Sequence, residues 1–134
     1  MSANATVHFL SPDSFYRLSK ALVHHLGLTK AFALTDLLDK YEDLETSNLL
    51  PEDKWFTYTR PEISKSWGVH FKLQRDILAE FKQLGLIDFE KRGIIPQRNH
   101  FKLNFSKIDE LLDIAVESYI KDCQEQYTNH INRN

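Results

Sequence analysis

Apolar residues recur at two periods along this chain, and the switch between them locates the elements. Ser11-Pro12-Asp13 reads as a helix start, with Ser11 as cap, Pro12 in the first turn and Asp13 at the positive end of the dipole. Phe15, Leu18, Leu22 and Leu26 follow at helical spacing, and Gly27 ends the run. Thr29 is placed to cap a second helix with apolar positions at Phe32, Ala33, Leu37, Leu38 and Tyr41. The acidic stretch Glu42–Asp53 reads as a loop, and Trp55–Tyr58, rich in strand formers, as a short strand.

Thr59-Arg60-Pro61-Glu62 has the pattern of a capping box with proline in the first turn. It opens a short helix in which Ile63 and Trp67 share a face and which Gly68 breaks. The next helix is expected from His70 or Phe71 to Leu84. At about 100° per residue, Leu73, Ile77, Phe81 and Leu84 form a narrow stripe with Leu78 at its edge. Lys72, Arg75, Ala79, Lys82 and Gln83 fall on the opposite side, with Asp76 and Glu80 on one flank. The period then changes to two. Ile87, Phe89, Phe101, Leu103 and Phe105 alternate with Asp88, Glu90, His100, Lys102 and Asn104 on either side of Gly93–Asn99. Pairing Phe89 with Phe101 or Leu103 sets Asp88 or Glu90 against Lys102, so register and charge agree on a hairpin. Ser106 to Asp109 is a further capping pattern. The helix after it, expected to end near Tyr127, carries Ile108, Leu111, Leu112, Ala115, Val116, Tyr119, Ile120 and Cys123 in a stripe wide enough for the core and a second chain.

These elements predict a mainly α fold with a small β-hairpin wing (α+β): a winged helix-turn-helix with additional N- and C-terminal helices. One domain is expected over residues 1–134. It divides into a disordered arm at 1–6, an N-terminal extension at 7–27 in which Val7–Leu10 is a short strand or packed arm, a winged-helix core at 28–105 and a C-terminal helix at 106–128.

Net charge is −2, which argues against nucleic acid until its distribution is read. Residues 1–59 carry five Lys/Arg against eight Asp/Glu, residues 60–104 nine against five, and residues 105–134 three against six. The basic charge therefore sits on the helix-turn-helix and wing. An electrostatic footprint for DNA and an ordinary solvated face both fit that distribution. The tip Lys91–Arg98 holds three cations and no acid.

Catalytic chemistry has no pattern here. The four glycines are dispersed, so no phosphate-cradling loop is expected. His24 and His25 diverge by about 100° on a helix and Cys123 lacks a spaced partner, so neither a metal nor any other cofactor is expected. No enzyme is expected. Trp55 and Trp67 are expected in the core. No signal peptide is expected from Met1–Leu10, no run is long and apolar enough to span a membrane, and a lone cysteine suits a reducing cytoplasmic location.

The order Leu28-Thr29-Lys30-Ala31 opening a helix, an aromatic strand, a Thr-capped short helix, Phe81-Lys82-Gln83-Leu84-Gly85-Leu86-Ile87, and the hairpin text from Lys91 to Phe105 resembles the winged-helix domain of phage and plasmid replication proteins. These include replisome organizers and the N-terminal domains of DnaD-like primosome proteins. The resemblance covers roughly residues 7–112, and the Arg-Gly…Pro…Arg…Phe-Lys-Leu-Asn wing is its most specific part. It implies a recognition helix at His70–Leu84, a wing at Lys91–Asn99, and a role in replication initiation or transcription regulation with a partner protein. Gly68-Val69-His70-Phe71 departs from the family, which commonly has Ser or Thr before the recognition helix. The length leaves no room for an ATPase or helicase-loading domain, so a regulator or accessory protein is expected. The candidate contacts to double-stranded DNA are Lys65, His70, Lys72, Arg75 and Lys82 from the helices and Lys91, Arg92 and Arg98 from the wing. The competing expectation is an interaction module that has lost DNA binding. A homodimer through the terminal helices and packing of those helices within one chain are both open.

Overall fold

The computed structural model describes residues 16–133. The expected arm at 1–6, Val7–Leu10, the Ser11 cap, Pro12 and Phe15 lie outside the described residues. The first described helix, α1, is Lys20–Leu26. It is shorter than the sequence pattern predicts, because Ser19 is extended and its hydroxyl accepts the Leu22 N–H at 3.3 Å. Just upstream, Tyr16 is drawn off the helical path, its ring edge-on to Phe32 at 4.7 Å and its hydroxyl bonded to Asp36. Gly27 joins α1 to α2 at φ 87°, ψ 162°, a conformation that only glycine adopts cheaply.

Helix α2, Leu28–Thr46, is capped by Gly27 rather than by Thr29, and it continues through Thr46, a little over one turn into the acidic stretch expected as loop. The reason is apolar: Leu44 extends the face of Leu37 and Tyr41 onto the core, which outweighs the acidic composition of Glu42–Glu45. Strand β1 is only Phe56–Thr57. Helix α3, Arg60–Trp67, has the expected box: Thr59 Oγ1 accepts from Glu62 N–H at 3.3 Å and Glu62 Oε2 from Thr59 N–H at 3.0 Å, a contribution of about 1 kcal/mol. Gly68, left-handed, turns the chain into α4, Phe71–Gln83.

Strands β2, Ile87–Arg92, and β3, Arg98–Leu103, form the hairpin, and β1 adds to its far side in the order β1-β3-β2. Phe89 pairs with Phe101 and Asp88 with Lys102, one of the two registers the alternation allows. Helix α5 runs Phe105–Arg133, beyond the expected end. Asn104, not Ser106, caps it, through Oδ1 to Lys107 N–H at 3.3 Å. The core lies between the sheet and the helices, built on Phe56, Phe81, Phe101, Leu34, Ile63 and Ile108. Helices α1 and α5 pack on each other within one chain, with His24 edge-on to Tyr119 at 5.7 Å. The result is a mostly helical α+β domain, consistent with a winged helix carrying extra terminal helices.

One polar centre lies inside this core. Asp36 on α2 is buried, and four side chains donate to its carboxylate: Tyr16 at 2.8 Å, Tyr58 at 2.6 Å, Ser66 at 2.7 Å and Trp67 Nε1 at 2.7 Å. Burial first, and the adjacent carboxylate second, push the Tyr58 hydroxyl well above the ordinary tyrosine value. The network fastens the end of α3 and the strand before it to α2.

Candidate nucleic-acid interface

Helix α4 carries the outward face from which a groove could be read, and burial sets which residues that face holds. Gln74, Ile77, Leu78 and Phe81 are buried, whereas Leu73 and Leu84, expected in the apolar stripe, are 38% and 47% exposed. The helix is thus rolled by roughly 50° from the position that hydrophobicity alone predicts. Gln74 is the cause. Its amide donates to the Arg60 carbonyl at 3.2 Å and to the Ser64 hydroxyl at 3.1 Å, so a polar residue is satisfied inside and pins α4 to α3. The roll leaves Lys72, Ala79 and Gln83 at the centre of the solvent face with Asp76, while Arg75 stays exposed at its side.

Lys82 does not join that face. Its ammonium lies 4.9 Å from the Phe89 ring centre, donates to the Phe89 carbonyl at 3.3 Å and is 3.8 Å from Asp88. Glu80, expected on the flank of the reading face, is paired with Lys30 of α2 at 2.8 Å. His70 is the exposed N-cap of α4 and makes no side-chain cap bond. Lys65 is exposed on the side of α3 away from Ile63 and Trp67.

The wing cations separate into two groups. Arg92 is held: its Nε reaches Glu90 at 2.6 Å, an Nη is 3.9 Å from Asp53, and the guanidinium lies 4.8 Å from the Trp55 ring centre. Trp55 is consequently a half-buried rim residue rather than the core residue the sequence suggests. Lys91 and Arg98, by contrast, have no ion-pair partner among the described residues. They line a cleft of about 160 Å³ with Gln97, Asn99, Thr59 and Arg60. Its lining contains three cations and no acid.

Arg60 is the residue that sequence reasoning missed. It opens α3, lines the cleft with Lys91 and Arg98, and carries its guanidinium 5.5 Å from the ring centre of Phe71, the first residue of α4. It therefore bridges the start of the reading helix and the base of the wing. A basic residue at the first position of the capped helix that opens the helix-turn-helix was the available signal. The acids that could divide the surface are largely occupied elsewhere: Glu80 by Lys30, Asp88 by Lys82 and Glu90 by Arg92. Asp76 remains on the solvent face.

Comparison with solved structures finds the same fold elsewhere. One neighbour is described as the N-terminal domain of a DNA binding protein, at 17% identity and a TM-score of 0.54, with 75% of this chain and 79% of that chain covered. A second, a Rep–DNA complex, gives 17% identity and a TM-score of 0.55 over the same shares. Both likenesses are of fold. No family model matches the sequence, and no curated protein matches it. No helix among the described residues is long and apolar enough to cross a membrane, and no group of three or more His, Cys, Asp or Glu among them is placed to hold a metal.

Proposed function

We propose that this protein binds double-stranded DNA without catalysing a reaction, α4 entering the major groove and the cleft at the wing base gripping a phosphate. The observation that carries this reading is Arg60, which lies against Phe71 at the start of α4 and lines a cleft with Lys91 and Arg98 that contains no acid. A groove-reading helix beside a cationic phosphate contact is the usual division between base readout and positioning. The resemblance of the wing to phage and plasmid replication proteins, and the fold neighbour solved as a Rep–DNA complex, support a role on a mobile element in replication initiation or transcription regulation. A free, exposed Cys123 suits the cytoplasm.

The test is a mobility-shift titration with duplex from the protein's own locus. Lys72→Ala/Arg75→Ala should fold normally and lose roughly 1–3 kcal/mol of affinity for each base contact, with relaxed preference at the positions read. Unchanged affinity and preference in the folded double variant would remove α4 as the reader. Failure of the unmutated protein to shift any duplex at low salt would leave the interaction-module reading.

Two copies are proposed to pair through α5. Val116, Ile120, Tyr127 and Ile131 are 45–68% exposed along its outer side, beyond what α1 covers. Ile120→Glu should give a folded monomer that binds DNA more weakly. Sedimentation of the unmutated protein as a monomer at tens of micromolar removes the dimer.

A further inference from the structure

We propose that Ile94 and Ile95 form an apolar wedge that enters the minor groove of duplex DNA and unstacks a base step. The inference rests on the duplex-binding reading above and adds DNA bending to it. The two side chains are 92% and 93% exposed, the most exposed large apolar residues among those described. Single exposed apolar residues are ordinary, but two neighbours left uncovered at one projecting turn contribute nothing to the core.

The turn holds them outward. The last ladder pair is Arg92 with Arg98, so residues 93–97 lie beyond the hairpin ladder. Gly93, at φ 89°, lets the turn close on itself: a Cβ there would stand 2.8 Å from the Pro96 carbonyl oxygen. The surroundings are chosen for an anion. From Lys91 to Asn99 there is no acidic residue, and Lys91, Arg98 and Arg60 all line one cleft at the wing base.

Geometry selects the minor groove. The sugar-phosphate backbone separates the two grooves of a duplex. With α4 in the major groove and a phosphate in the Arg60–Lys91–Arg98 cleft, the next feature beyond the cleft crosses that backbone. Proteins that bend DNA from the minor groove insert Ile, Leu, Phe, Met or Pro between base steps and kink the duplex by about 20–90°. Ile94-Ile95-Pro96 is such a tip, flanked by the charges that hold it against phosphate.

The experiment uses the full chain and a mixed-sequence duplex of about 30 base pairs containing TA and CA steps, which unstack most easily, with donor and acceptor dyes at its ends in about 50 mM salt. The unmutated protein should raise energy transfer on binding. Ile94→Ser/Ile95→Ser should still shift the duplex through its cations, with affinity lower by roughly tenfold or more and the rise in transfer lost. Ile94→Ala/Ile95→Ala should behave alike. Binding by the unmutated protein without a change in transfer overturns the wedge and leaves duplex binding standing. A serine variant that binds and bends as well as the unmutated protein also overturns the wedge. No shift by any form overturns both readings together.

Discussion

Asp36→Ala should destabilise the protein by on the order of 3–5 kcal/mol, a large share of the roughly 5–15 kcal/mol that holds a domain folded. The carboxylate accepts from Tyr16, Tyr58, Ser66 and Trp67, and its removal leaves buried donors, above all Tyr58 and Trp67, with nothing to bond. Asp36→Asn should be nearly as harmful, because it turns amide protons toward those donors. Urea denaturation followed by circular dichroism measures both, and a cost under about 1 kcal/mol for the alanine variant contradicts the role given to this centre. The same network fixes a pH response. Tyr58 holds its proton more tightly in the fold than in the unfolded chain. The unfolded chain therefore releases that proton first, and stability should decline as pH rises past the ordinary tyrosine value of about 10. Below that value this contribution is fully present.

The triple substitution Arg60→Ala/Lys91→Ala/Arg98→Ala should carry the largest loss of DNA affinity. These side chains lie on the surface around one cleft, so the fold should survive. If each cation neutralises a phosphate, the slope of log K against log salt should fall by about 2.7, and affinity for all duplexes should drop together. Arg92→Ala should change the slope far less, since Glu90 and Asp53 already compensate its charge. A triple variant with an unaltered slope, or a sharper change for Arg92 than for Arg98, contradicts the division of the wing cations.

The elements were legible where local chemistry and packing agree. The Thr59–Glu62 box and the Asp88–Lys102 register both state their structure in a few residues. The misreadings came where a distant partner decides. The acidic composition of Glu42–Glu45 hid the Leu44 contact that prolongs α2, and the polar character of Gln74 hid its burial against Arg60 and Ser64. Asp36 was invisible for the same reason: its partners lie up to 31 residues away and none is charged. At the candidate interface, charge counting found the basic segment but treated its cations as equivalent. Only the arrangement of Glu90, Asp53 and Trp55 separates Arg92 from Arg98, and only the proximity of Phe71 ties Arg60 to the reading helix.

Trp55 and Trp67 sit in environments different enough to serve as two built-in optical probes. Trp67, buried and hydrogen-bonded to Asp36, should emit at short wavelength and shift red only when the domain opens. Trp55, under the Arg92 guanidinium at the base of the wing, faces water and should respond to whatever the wing touches. Phe substitution of either leaves the other as a single reporter. Unfolding can then be followed at the core and at the wing separately, and coincidence of the two traces is itself a test of whether the wing melts with the domain or before it.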